Sequence, residues 1–207
     1  KHSLSRTLHK VAVLVPHEMV GETMAEASFR TRLNELLDSR QLPPAYYEHS
    51  VVRANPNSRV APFALYIDGV AYAITDTVIG YWLVCLTTNK RHLFAVLRKK
   101  LLCECGCRGW CTHDAMFRYI HWSLLALATG DYPSSRPDKQ PWLENDRERM
   151  LLANSALPFI AAVIHIKGDW AEYAGTLGFP SWQDGLRPCF QCPAFGADMF
   201  SALGHTC

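Results

Sequence analysis

Three β-rich runs in close succession, then a helix, then a fourth apolar run, constrain this chain more than any other feature. FALYI (63–67) is continued by VAYAIT (70–75), and IGYWLVCLTT (79–88) follows. RHLFAVLRK (91–99) comes next, after the polar pair Asn89-Lys90. Runs rich in Val, Ile, Tyr, Phe and Trp, joined by short polar turns, pair antiparallel with their neighbours. Ala115 to Ala128 is apolar nearly all round and stops at Gly130, so it reads as a buried helix. FIAAVIHI (159–166) then reads as a strand buried on both faces. A strand reached through a long helical crossover lies parallel to one already in the sheet. The expected fold is therefore α/β, with a mixed sheet of three antiparallel strands and a parallel fourth.

The remainder frames that sheet. Val11–Val15 is a short strand-like run stopped by Pro16. Ala25, Phe29, Leu33, Leu36 and Leu37 recur at helical spacing and predict one helix over Gly21–Arg40, closed by Pro43-Pro44. The stretch RANPNSRVAP (53–62) reads as a linker and sets a boundary between an N-terminal helical segment, 1–60, and a core, 61–207. Short helices are expected over Arg147–Ser155 and Trp170–Leu177. The 21 basic and 19 acidic residues leave a formal charge of +2, so no strong field marks a nucleic-acid coat or a polybasic membrane binder. No apolar run approaches about 18 residues, and no membrane partner is expected. The first 20 residues lack the apolar block of a signal peptide.

Seven of the eight cysteines fall in two clusters, which reads as metal binding in a reducing, intracellular compartment before it reads as a disulfide framework. Cys189-x2-Cys192, followed by His205-x-Cys207, has a two-residue spacer that turns both thiolates to one tetrahedral ion. Its closing pair is tighter than usual. Cys103, Cys105, Cys107 and Cys111 crowd four thiols into nine residues, with Gly106 and Gly109 freeing the backbone to fold round an ion. A structural Zn²⁺ site in an insertion at 103–113 is the preferred reading, and a second lies in the Cys-rich segment 189–207. One-residue spacers leave open whether all four thiols of the first cluster share one metal. The alternative is a redox-labile thiol cluster. Cys85 reads as a small buried residue. His165 and His121 read as core histidines, and the basic stretch 90–100 as a solvated strand edge.

Two acids occupy telling places. Asp68 ends or interrupts the first strand, and Asp169 follows the fourth. If those strands are parallel neighbours, both carboxylates reach the same edge of the sheet, where Mg²⁺ or Mn²⁺ can bind. Plainer readings compete. Asp68-Gly69 is a hairpin-turn signal, and Asp169 with Glu172 is a helix N-cap with a capping-box partner. Asp76 is a spare acid on the same stretch.

This order, with Asp68 on strand one and Asp169 after strand four, resembles the ribonuclease-H-like core of DDE transposases and integrases. The segment IKGDWAEYAGTLGFPSW, then PCFQC and a distant His, is also similar to eukaryotic cut-and-paste transposases. The resemblance covers roughly residues 63–207. It implies a ribonuclease-H-like fold, catalytic Asp68 and Asp169 holding Mg²⁺ or Mn²⁺, and cleavage and strand transfer on DNA. It further implies DNA as partner, a homo-oligomer and a nuclear location. One departure stands out: no third acid follows on a later helix, since Asp184 and Asp198 lie in or beside the Cys-rich tail. On that pattern the catalytic unit either continues beyond Cys207 or is degenerate. The rival reading is a zinc-stabilised nucleic-acid- or protein-binding module without catalysis.

Overall fold

The computed structural model describes residues 7–74, 76–181 and 183–187. In chain order the elements are α1 (Pro16–Met19), α2 (Gly21–Ala25), α3 (Ala27–Asp38), α4 (Pro44–Glu48), α5 (Ser50–Ala54), β1 (Ala61–Ala73), β2 (Asp76–Cys85) and β3 (Arg91–Arg98). They continue with α6 (Trp110–Thr129), α7 (Arg147–Leu152), β4 (Ala161–Lys167) and α8 (Trp170–Gly175). The four strands form one sheet in the order β3-β2-β1-β4. β1–β2 and β2–β3 are antiparallel, and β4 runs parallel to β1. The mixed sheet expected from the sequence is present, with its parallel strand beside the first.

Several local expectations change. The region 21–40 is two helices, because Glu26 takes an extended backbone between them. The Arg30 guanidinium caps the Ala25 carbonyl freed there, at 2.9 Å. Pro44 starts a helix rather than ending one, since a proline at the first helical position loses no hydrogen bond. His49 caps the next, accepting from the Val51 amide. Val11–Val15 contributes only a bridge, Val13 opposite Ala95. β4 is not buried on both faces. Ala161 and Ala162 are buried, but Ile166 and Lys167 are exposed, because β4 lies at the edge of the sheet with β1 as its strand partner.

Strand alternation sorts the sheet into two unlike faces. One carries Phe63, Leu65 and Ile67 of β1 with Ile79, Tyr81 and Leu83 of β2, and these join Met116, Ile120 and Leu127 of α6 in a single core. Val20, Met24, Phe29 and Leu33 belong to the same cluster, so the N-terminal helices share their core with the sheet. Most of the buried polar groups are paired, as burial demands, while Tyr47 Oη and Thr87 Oγ1 have no hydrogen-bond partner among the described residues. His17 Nδ1 and Ser123 Oγ stand 2.8 Å apart, Tyr81 Oη and His113 Nδ1 2.9 Å, and Thr23 Oγ1 and His92 Nε2 3.2 Å. His121 is exposed and His165 half-buried, so neither is the enclosed core histidine expected. The opposite face carries Tyr66 and Trp82, directly paired across β1 and β2. Gly80 is required there: a Cβ would stand 2.0 Å from the Trp82 indole, which lies across it.

Candidate metal centre and carboxylate edge

The Cys-rich segment between β3 and α6 is one compact loop. Gly106, Arg108 and Gly109 all have positive φ, and a Cβ at Gly109 would meet Leu102 at 3.1 Å. The Cys103 amide donates to Thr112 Oγ1 at 2.9 Å, tying the start of the loop to the first turn of α6. The four sulfurs of Cys103, Cys105, Cys107 and Cys111 all lie within 4.8 Å of one another. Cys105 Sγ and Cys111 Sγ are 3.8 Å apart. A tetrahedral ion with Zn–S bonds of about 2.3 Å separates its thiolates by about 3.8 Å, whereas a disulfide requires about 2.05 Å. All four thiols are free. The one-residue spacers therefore do not prevent the four from facing one point, and the set can bind a metal ion such as zinc.

The electrostatics of the loop suit a cation. The Cys111 amide donates to Cys107 Sγ at 3.4 Å, and this bond, first among several, pulls the Cys107 thiol down to about 6. Cys111, with Cys107, Cys105 and Cys103 beside it, is pushed up to about 12. The Cys107 thiolate forms readily while Cys103 and Cys111 resist, which is how closely packed anions behave until a cation displaces their protons. His113 is no ligand, being buried against the Tyr81 hydroxyl. Cys189, Cys192, His205 and Cys207 lie outside the described residues.

The two acids are placed by strand register. Tyr66 is in register with Lys167 across the parallel β1–β4 pair. Two residues further on lie Asp68 and Asp169. The alignment persists past β4, since a Cβ on Gly168 would stand 3.1 Å from the Ile67 carbonyl oxygen. Both acids thus lie level with each other at the C-terminal end of the parallel β1–β4 pair, where β4 stops and β1 continues. Asp68 does not end the strand or form a turn. β1 runs through it, with Gly80 opposite, and the β1–β2 connection falls after Ala73. The Tyr66 hydroxyl donates to Asp68 Oδ2 at 2.7 Å. That bond, then burial and the charge of Asp68, hold the Tyr66 phenol above its ordinary range; Arg91 opposes and the charge of Asp169 adds to it. Asp169 is also the N-cap of α8, its Oδ1 accepting the Glu172 amide at 2.7 Å. The N-cap half of the plainer reading of Asp169 is therefore correct as local structure, and Oδ2 makes no hydrogen bond among the described residues.

Glu172 does not complete a reciprocal capping box. Its side chain accepts from Thr176 and lies against Gly69, where a Cβ would come within 2.6 Å of Oε1. Asp76 is spent elsewhere, on Arg98 at 2.7 Å, the Tyr72 hydroxyl at 2.9 Å and Lys100 at 3.9 Å. Burial works against its ionisation, but the Arg98 and Tyr72 bonds outweigh it and hold the carboxyl below its ordinary value. Asp184 caps the Leu186 and Arg187 amides. Among the described residues no three carboxylates converge at metal-binding distance; the cysteine set alone does so. Sequence reasoning missed Tyr66, although its i, i+2 spacing from Asp68 on a strand was the available signal. Among the described residues no helix is long and apolar enough to cross a membrane. No protein-family model matches the chain, and comparison with curated proteins and with solved structures finds no match, so the geometry of the two sites carries the functional reading alone.

Proposed function

We propose that this chain carries a ribonuclease-H-like core directed to metal-dependent phosphodiester cleavage and strand transfer on DNA, with Asp68 and Asp169 as the metal-holding acids. The observation that supports it is their arrival at one edge of the parallel β1–β4 pair from positions about a hundred residues apart. The donor set suits Mg²⁺ or Mn²⁺. Both ligands are carboxylates, each has an oxygen without a protein hydrogen bond among the described residues, and neither is neutralised by an ion pair there. Such ions bind through one or two carboxylates and complete their shell with water and phosphate. A divalent ion held there supplies positive charge to a phosphodiester and a more acidic bound water. The chain's own residues orient the site: Tyr66 fixes Asp68, and the α8 N-terminus fixes Asp169. In this reading the four-cysteine loop holds structural Zn²⁺ as a staple between β3 and α6, and the protein acts where DNA is, in the nucleus.

Mn²⁺ titration of wild type and of Asp68→Asn/Asp169→Asn tests the proposal, alongside divalent-ion-dependent nicking of supercoiled DNA. Saturable Mn²⁺ binding and nicking, both lost in the double variant, are expected. Mn²⁺ binding that survives the double variant overturns the assignment. A second reading, a zinc-stapled binding module without catalysis, draws on the fact that only the cysteines converge as a metal-ready set among the described residues. It predicts zinc in the protein with no Asp-dependent second metal and no nicking.

A further inference from the structure

The sheet face opposite the core is covered at Ala64 and Val84 but opens toward Leu93 and Val96, with Tyr66 and Trp82 half-buried between. Tyr66, Trp82, Leu93 and Val96 lie on it, and none belongs to the hydrophobic core or to the residues packed against it. Leu93 and Val96 are 43% and 41% exposed. A contiguous apolar face of this kind needs an occupant, and its chemistry selects one. Trp82 lies across Gly80 with Tyr66 beside it, ring centroids 5.2 Å apart and planes inclined at 38°. The indole lies against the backbone at Gly80 and is half-buried, so part of the ring remains reachable. The Arg91 guanidinium stands 5.7 Å from the centre of the Tyr66 ring, and Lys167 is in register with Tyr66 from β4. Neither cation has a carboxylate partner among the described residues, whereas Arg98 and Lys90 are both paired. Aromatic planes interleaved with unneutralised cations suit bases that stack and phosphates that pair. A duplex hides its base faces, so the complementary ligand is single-stranded.

We infer that the face formed by Tyr66, Trp82, Arg91 and Lys167 seats a single-stranded stretch of DNA and leads it to the Asp68 edge, through the Tyr66 side chain that touches both. The choice of DNA rests on the function proposed above; the stacking platform does not.

The test is fluorescence anisotropy of a labelled 12-nucleotide oligo(dT), and of a duplex of equal length, with the whole zinc-loaded chain in Mg²⁺-free buffer. Single strand is expected to bind more tightly than duplex. Trp82→Ala should weaken it about tenfold or more, with Trp82→Phe retaining most of the affinity. Arg91→Ala and Lys167→Ala should each reduce the slope of log affinity against log salt by about 0.7. Circular dichroism and the thermal midpoint establish that each variant is folded; if Trp82→Ala does not fold, the two surface variants carry the test. Asp68→Asn/Asp169→Asn, which removes two negative charges from the strand's path, should bind oligo(dT) at least as tightly as wild type while losing Mn²⁺, so the platform and the metal site fail separately. The inference is overturned by absence of oligo(dT) binding, by equal binding of duplex, or by folded variants that bind as wild type does. Self-association abolished by Trp82→Ala, without DNA binding, overturns it too and assigns the face to a second copy of the chain.

Discussion

The cysteine loop brings four sulfurs to one point and the carboxylate edge brings two acids to level positions on neighbouring strands, and the two are built in opposite ways. The loop gathers its four sulfurs from nine consecutive residues, so its geometry is set by local backbone: two glycines and Arg108 at positive φ, and one Cys103–Thr112 bond. The edge gathers Asp68 and Asp169 from strands far apart in sequence, so it exists only when the sheet is complete. A local site can outlast damage to the body of the protein; a non-local one cannot. The difference teaches where each site is vulnerable, and it can be broken experimentally.

The largest effect should come from the loop. Cys107→Ser is expected to take bound zinc from one per chain at this loop to none and to lower the thermal midpoint by about 10 °C. Metal content by mass spectrometry on reduced protein, paired with calorimetry, checks this. A variant that keeps full zinc would show that the four thiols do not share one ion. Next is Phe63→Ala, which empties a fully buried position where β1 meets β4. A loss of about 3–5 kcal/mol in urea unfolding is expected. Zinc should stay in the loop while Asp-dependent Mn²⁺ binding weakens, so simultaneous loss of both would erase the contrast drawn here.

Acid supplies a third test. Burial pushes His17 down to about 4, with Glu18 opposing and Arg149 assisting. The unfolded chain therefore binds a proton at this site that the folded chain refuses between about pH 6.5 and 4. Stability from His17 is complete above pH 6.5 and falls by about 3 kcal/mol as the pH drops to 4. Zinc-free protein followed by circular dichroism isolates this from thiolate protonation. His17→Asn should flatten the profile over that window, and an unchanged slope would locate the acid response elsewhere. Smaller again, Tyr66→Phe removes the hydroxyl that fixes Asp68. It should weaken Mn²⁺ binding about tenfold and leave zinc untouched, a loss typical of a ligand deprived of its orienting bond. The smallest change expected is Arg149→Ala. It breaks the two-point pair with Glu18, at 2.7 and 2.9 Å, on the partly exposed far side. Less than about 1 kcal/mol should be lost, with both metal signatures intact.

How much was legible in the sequence follows the same division. Strand order was readable because the crossover rule admits few topologies, and that alone carried Asp68 and Asp169 to one edge. The helix ahead of Gly130 was readable from continuous apolarity, although it begins five residues earlier, at Trp110, because the cysteine loop feeds straight into it. The break at Glu26 left no local signal, since Ala, Glu and Ser on either side all tolerate a helix. Asp68-Gly69 misled in the other direction. As a dipeptide it signals a turn, yet in β1 the pairing with β2 outweighs that preference and the glycine serves to admit Glu172. The role of Gly80 beneath Trp82 depends on a ring two residues along the same strand, a contact that no propensity encodes.

The parallel pairing of β1 with β4 also has a kinetic consequence. Ala61 meets Ala161, so a hundred residues must be synthesised between the two halves of the carboxylate edge. Antiparallel β1, β2 and β3 are joined by short turns and close early, and the four cysteines follow them directly from the ribosome. β4 must then add to the edge of a sheet already formed, the slowest kind of contact for a chain to find. The order of assembly is thus written into the topology: the thiol loop can form co-translationally, and Asp169 comes level with Asp68 only in the last step.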